Sequence, residues 1–423
     1  MKILISAYAC DPYGGSEGAV GWSAICRVSL KHDVYVITGE RQRANWNRAA
    51  IEHKIPDNIH VRFIGRNQSY CQNRLIARLQ SWLFYWQFNR LVLKAAEAWH
   101  REVGFDLCHQ VTIAAWRMPS PLWRMPIPFV WGPIGGAGFI SSEFRSMLSH
   151  TARCFELARD MSTLVSRRSG AFRNCIRNSA VVLAANEETE VLLKPFRMGR
   201  PLARLPVASV SAEKVLQYKR PCLSRRPPGP LILFAGGNME GRKGVSLAVR
   251  ALAIVASKGV DFHYTVAGGG PEIESLRLLC QKLHIDDKIV FHPGYQGDDY
   301  VRALQRSDVY FLPSFRETLG MTLVESMLAG CYPVVADTSA QGEIVRMAGG
   351  SAIPVTTMDE LISGLADAVL WCHGHREEIN SIAARASQTV AEYFSTANYD
   401  RVIEETYRTA LEGLAQRSRH MQS

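Results

Sequence analysis

Short apolar runs alternate with helical stretches along the chain, and they do so twice, on either side of a proline-rich break. In the first series, residues 1–9, 33–38, 60–64, 105–110, 127–131 and 180–185 read as strands. Helical spacing runs over 18–29, and a long helical stretch over about 75–103. The break is Lys219-Arg-Pro-Cys-Leu-Ser-Arg-Arg-Pro-Pro-Gly-Pro230. No helix traverses it, because proline lacks an amide proton and clashes with the preceding turn. After it, strands at 231–235, 262–267, 288–292, 309–312 and 332–336 alternate with helices, clearest at 245–257 and 272–283. Such alternation builds parallel βαβ units with right-handed crossovers. The expected fold is α/β, with two doubly wound domains, residues 1–207 and 208–394, and a linker at about 219–230. Sheets of this kind bind ligands outside the carboxyl ends of their strands, so function is expected at a crevice there.

The length agrees, since 423 residues exceed one ordinary core and suit two of roughly 200. The net charge of +10 is uneven: residues 1–200 hold 26 Lys and Arg against 15 Asp and Glu, the remainder 23 against 24. A basic half suits solubility, and it also suits an anionic partner such as membrane lipid, a lipid-linked phosphate acceptor or nucleic acid. Nucleic acid ranks last, because no recognition helix or aromatic RNA-binding strand pair accompanies the charge. The ten cysteines are scattered singly, without a Cys-x-x-Cys pair, and read as reduced thiols. Cys372, His373 and His375 cluster, but no second group of ligands answers them, so no metal site is expected. The apolar run near the N-terminus is too short for a signal sequence, and no stretch approaches the ~18 apolar residues of a membrane span. The expectation is a cytoplasmic protein.

The strongest chemical signal is Pro313-Ser-Phe-Arg-Glu317-Thr-Leu-Gly320-Met-Thr-Leu-Val-Glu325-Ser-Met-Leu-Ala-Gly330. A strand ends at Pro313-Ser314, and a helix is expected from near Thr318 to Gly330. Amides at Leu319, Gly320, Met321 and Thr322 would then point out of a helix N-terminus, where anions bind. Glu317 precedes that terminus and Glu325 lies about two turns in. Eight residues of helix span ~12 Å, roughly a sugar-diphosphate-ribose unit. Alone, the same spacing describes a helix with acidic early turns, which its dipole favours. Upstream, Phe234-Ala-Gly-Gly237-Asn238-Met-Glu-Gly-Arg242-Lys243-Gly244 is a strand, a glycine-rich turn and a helix with a basic pair at its start. That turn lets backbone approach a phosphate, with Lys243 as a point charge. Val266-Ala-Gly268-Gly-Gly270-Pro271 ends another strand in glycines, where a base or ribose could lie close.

In order and spacing, G-G-x(5)-K-G, A-G-G-G-P-E, F-x-P-G, S-D-V-Y-F-L-P-S and E-x(7)-E followed by A-G-x(2)-P-V-V resemble the donor half of family 4 retaining glycosyltransferases, over nearly all of residues 231–337. The resemblance implies a GT-B fold, two Rossmann-like domains facing across a deep cleft, with the segment from 395 onward crossing back to the first. It implies that Lys243 binds the donor pyrophosphate and Glu317 the transferred sugar. Glu325 would bind the nucleotide ribose, and the amides from Gly320 to Thr322 the diphosphate and sugar. Relatives carry an arginine five residues before the lysine, where this chain has Asn238, and Arg242 would supply that charge from another angle. The implied reaction moves a sugar from a UDP- or GDP-sugar to a hydroxyl of a glycan or lipid-linked acceptor with retained configuration. Relatives with such basic first halves build exopolysaccharide, lipopolysaccharide and other envelope glycans, which suggests peripheral association with the inner face of the membrane. The chain holds no Asp-x-Asp, so neither a bridging metal nor another cofactor is expected.

The first half resembles the acceptor domain more loosely. Tyr13-Gly14-Gly15-Ser-Glu17 follows the first strand, where the family sets a glycine loop against the diphosphate; a missing Cβ permits close approach and positive φ. His109 ends the strand near 105–110, so it reads either as a contact to donor sugar or acceptor hydroxyl, or as a structural histidine. Trp82, Phe84, Tyr85, Trp86 and Phe88 lie between Arg74, Arg78, Arg90 and Lys94. They occupy too many directions for one interfacial stripe, and a helix buried on the sheet is the favoured reading. Two rivals remain: a nucleotide-sugar epimerase on the same fold, and a non-catalytic module of the same kind.

Overall fold

The computed structural model describes residues 1–15, 17–67, 71, 74–220 and 229–422, with all their side chains except those of 74, 75, 78, 79 and 414–422. Most of the break at 219–230 lies outside the described residues, as do Ser16 and the side chains of Arg74 and Arg78. The chain divides into two compact units: residues 1–137, 161–209 and 396 onward, and residues 138–160 with 210–395. The boundary at 209/210 lies close to the sequence boundary. The transfer of residues 138–160 to the second unit has no counterpart in the sequence reading.

The first unit holds a seven-stranded parallel sheet of β1 (Lys2–Ala7), β2 (Asp33–Gly39), β3 (Ile59–Ile64), β4 (Leu107–Thr112), β5 (Phe129–Ile134), β6 (Val181–Ala184) and β7 (Leu202–Arg204). Its order is β3-β2-β1-β4-β5-β6-β7, so the winding reverses between β1 and β4. Every residue of β4 and β5 is buried, as strands covered on both faces must be. The Arg74–Val103 helix lays Tyr85, Phe88, Val92, Ala96 and Trp99 on the sheet at three- and four-residue spacing. Trp82, Leu83 and Trp86 face outward, Trp86 being 54% exposed. The aromatic stretch is therefore split between two faces and is not buried as a whole. The Thr396–Gln422 helix joins this unit, burying Tyr399, Ile403, Tyr407 and Ala410 in the same core as β1. Its outer turns pair Asp400 with Arg27 and Glu404 with His32.

The second unit repeats the plan with β8 (Leu231–Gly236), β9 (Phe262–Ala267), β10 (Ile289–His292), β11 (Val309–Phe311), β12 (Tyr332–Ala336) and β13 (Ser351–Ile353). These parallel strands run β10-β9-β8-β11-β12-β13, reversing between β8 and β11. The Val245–Ser257 helix, apolar on most sides, is largely buried, with Arg250, Ile254 and Ser257 exposed. Where the winding reverses, the loops leaving β8 and β11 part to opposite faces, and a ligand has room at the strands' carboxyl ends.

Candidate functional site

The loops after β8 and β11 are joined across this reversal. Phe315 N–H donates to the Arg242 carbonyl at 2.8 Å, and the Ser314 hydroxyl donates to the same oxygen at 3.2 Å. Gly244 lies at φ 66°, and a Cβ there would stand 2.2 Å from the Pro313 carbonyl oxygen, so only glycine lets the loops touch. This places Lys243 against Glu317, with Nζ 2.5 Å from Oε1. That oxygen also accepts the Ser314 hydroxyl at 2.9 Å and lies 3.4 Å from Arg242 Nη1. Burial raises the Glu317 pKa, but Lys243 and Arg242 outweigh it and hold the carboxyl below its ordinary value.

The following helix is Met321–Leu328, with Gly320 at φ 75° as its N-cap and no side chain capping it. It therefore starts three residues later than the sequence suggests, and Thr318 and Leu319 belong to the loop. The left-handed Gly320 ends the extended segment and turns the Met321 and Thr322 amides outward, ahead of any intrahelical acceptor. Within the helix, Glu325 Oε2 accepts the Tyr300 hydroxyl at 2.8 Å. Burial raises the Glu325 pKa, opposed by Tyr300 and Tyr218.

The glycines after β8 and β9 have a packing reason. Gly268 lies at φ 128°, and a Cβ on it would sit 2.0 Å from the Gly237 carbonyl oxygen; one on Gly270 would sit 2.3 Å from that of Met239. The two loops extend the sheet's ladder, with Gly237 N–H on the Ala267 carbonyl and Met239 N–H on that of Gly269. Asn238 is exposed and donates to Glu240 at 2.9 Å; Glu240 in turn holds Arg242 Nε at 3.0 Å. Arg242, not Asn238, carries the second positive charge to the Glu317 side of the site.

One expectation in the first unit is corrected, that of His109 as a substrate contact, and the glycine loop gains a local packing reason. His109 is completely buried, with Nδ1 2.8 Å from the Tyr407 hydroxyl and Nε2 2.6 Å from the Gly132 carbonyl oxygen. Both ring nitrogens are spent inside the unit, so this histidine is a core group and not a substrate contact. Its pKa falls to about 4 because burial disfavours the imidazolium, against a smaller upward pull from Gly132. Gly14 and Gly15 do not take a left-handed φ. A Cβ on Gly14 would lie 2.8 Å from Asp11 Cβ, so that glycine serves a turn in which Asp11 accepts Tyr13 N–H at 2.9 Å. Gly15 is exposed, with open space where its Cβ would be.

Sequence reasoning missed Ser314, Tyr300 and Gln341, whose amide donates to the Ser314 carbonyl. Ser314 was legible inside the Leu-Pro-Ser motif; the other two had no local signal. Cys372 is buried, and His375 stacks on Trp371 with ring centroids 4.8 Å apart. Among the described residues, no three His, Cys, Asp or Glu side chains gather as for a metal, and no helix is long and apolar enough to cross a membrane.

Residues 224–384, which carry this site, match the family model of group 1 glycosyl transferases. A Salmonella typhimurium protein assigned as the colanic acid biosynthesis glycosyltransferase WcaL is 27% identical over 213 residues, 48% of this chain and 51% of its own length. The chain spans about half the length of the curated relatives it matches, or less. Among solved structures, sucrose-phosphate synthase from Thermosynechococcus elongatus aligns with a TM-score of 0.65 at 16% identity, covering 96% of this chain and 98% of that one. Anabaena HepE, solved in complex with UDP and glucose, aligns at 0.60 and 16% identity over 97% of this chain and 100% of its own. The likeness shows the fold: two Rossmann-like parallel units, the GT-B architecture of these glycosyltransferases.

Proposed function

We propose that the chain transfers a sugar from a UDP- or GDP-sugar to a hydroxyl of a glycan or lipid-linked acceptor in cell-surface polysaccharide synthesis, with retained configuration, as a family 4 enzyme. The observation that carries this reading is the convergence of Lys243, Arg242 and the open start of the Met321–Leu328 helix around the Glu317 carboxylate. Departure of a nucleoside diphosphate develops negative charge, and two cations with outward amides meet it by preorganised electrostatics. No metal is required in this scheme. Glu317, ionised and held on one oxygen, accepts hydroxyls of the donor sugar with the other. Glu325 takes the ribose hydroxyls. The HepE complex with UDP supports the donor class by likeness of fold.

Calorimetry with UDP, GDP and ADP tests the reading, repeated with Lys243→Ala and Glu325→Ala. One diphosphate should bind selectively, without added divalent cation, and both substitutions should weaken it. No binding of any of the three would leave a non-catalytic module. Turnover of the donor sugar without an acceptor would favour an epimerase.

A second observation supports peripheral membrane association. Trp82, Leu83 and Trp86 are exposed on the outer face of their helix, with Arg90 stacked over Trp86 at 4.6 Å. Aromatic residues beside cations suit an anionic interface. Flotation with anionic liposomes at low salt should recover the protein, and Trp82→Ala with Trp86→Ala should abolish recovery.

A further inference from the structure

Residues 138–160 leave the first half of the chain and join the second unit. Arginines tie the segment to itself: Arg145 Nε donates to the Ile140 carbonyl at 2.8 Å, and Arg153 Nε to that of Leu148 at 2.9 Å. Glu143 accepts the Met358 N–H at 2.9 Å, and the segment's other contacts named here fall on the loops that carry the site. The Phe144 and Phe315 ring centroids lie 4.7 Å apart. Leu148 packs so closely on Gly241 that a Cβ there would stand 2.6 Å from Leu148 Cδ2. Glu156, 5% exposed, takes the Arg316 guanidinium bidentately, Nη2 lying 2.9 Å from Oε1.

Arg316 stands between Phe315 and Glu317, and its carbonyl oxygen accepts Arg242 Nη1 at 2.9 Å. The bidentate pair thus fixes a main-chain segment that bears Glu317 on one side and orients Arg242 on the other. A planar two-armed contact restricts rotation as well as distance.

We propose that Glu156 is a positioning residue for the donor site: by clamping Arg316 it sets the loop that holds Glu317 and Arg242 in register with Lys243. The proposal rests on the donor reading above for its consequence, and on the geometry of the second unit for its cause. A contact that served stability alone would leave the local order of the 313–322 loop unchanged in any variant that folds.

The test compares the full chain with Glu156→Gln, Arg316→Met and the double variant, by amide hydrogen exchange without ligand and by calorimetry with UDP and GDP. Glu156→Gln should raise exchange across 313–322 about tenfold, leave the first unit's core strands unchanged, and weaken the bound diphosphate about tenfold. Its effect on both readouts should largely vanish once Arg316 is methionine, since coupled residues are not additive. Unchanged exchange in 313–322, an increase spread evenly over both units, or an undiminished effect in the Arg316→Met background would each overturn the clamp. If Glu156→Gln does not fold, Glu156→Leu with Arg316→Met removes both charges together, a replacement that folded proteins tolerate. That pair should show the same local rise in exchange, and its absence would again overturn the proposal. If the unsubstituted protein binds neither UDP nor GDP, the donor reading fails while exchange still decides the clamp.

Discussion

Lys243 holds Glu317 across the winding reversal of the second sheet, its ammonium 2.5 Å from the carboxylate. One residue follows β8 and the other follows β11, so the pair exists only because those strands are neighbours. With Arg242 beside them, the three side chains carry one net positive charge. Glu240, 3.0 Å from Arg242 Nε, balances that charge, so an arriving diphosphate takes over cations that carboxylates already hold in place.

Replacing Lys243 by alanine should therefore weaken nucleoside diphosphate binding more than it weakens the fold. A hydrogen bond to a charged group contributes about 2 kcal/mol, or roughly thirtyfold in affinity. Calorimetry at neutral pH reads this directly. The loss should be smaller for the Asn238→Ala variant, whose side chain turns to Glu240.

Tyr300→Phe should change how binding depends on pH. The Tyr300 hydroxyl donates to Glu325, whose carboxyl is raised by burial and lowered by that hydrogen bond. Without the donor, the carboxyl rises further. If the ionised form accepts ribose hydroxyls, the acidic limb of nucleotide affinity moves to higher pH, and titrations upward from the ordinary carboxylate range would show it. Affinity well above the limb should change little.

The pair of His109 and Tyr407 gives the first unit an acid-sensitive point. The imidazole stays neutral in the folded chain down to about pH 4, whereas an unfolded histidine gains its proton near its ordinary value. The unfolded state thus binds more protons between those values, and stability falls as pH drops through that window. The whole effect is about 3 kcal/mol. Urea unfolding at pH 7 and pH 5 should show His109→Gln costing less at the lower pH, by about 2 kcal/mol.

Gly268→Ala should destabilise the second unit by about 3 kcal/mol, from a disfavoured φ and direct overlap with the Gly237 carbonyl. The neighbouring Gly269 is exposed with open space around its missing Cβ, and its alanine variant should be close to neutral. Denaturation midpoints of the two variants form an internal comparison.

The sequence showed the two alternating series because fully covered parallel strands must be apolar runs, as β4, β5 and β12 are. It did not show β7 and β13, three-residue edge strands with half-exposed side chains and no apolar run. Glu317, Glu325 and Lys243 were readable because a strand-loop-helix pattern dictates where such residues sit. His109 was misplaced because position at a strand's end does not say which way the ring turns. Here the answer lay 298 residues away at Tyr407. Tyr300 and Glu156 were invisible for the same reason: each acts on the site through a contact distant in sequence, with no local pattern to mark it.

The detour of residues 138–160 also bears on how such a chain can be recombined. The path changes unit at 137/138, 160/161, 209/210 and 395/396. A crossover between two homologous genes near residue 209 would import a new second unit but leave Phe144, Leu148 and Glu156 from the old parent beneath its donor loop. Chimeras made at that single junction should bind the donor more weakly when the parents differ at those three positions, even if both share the Lys243 and Glu317 pattern. Those that carry the short early segment together with residues 210–395 should keep that binding.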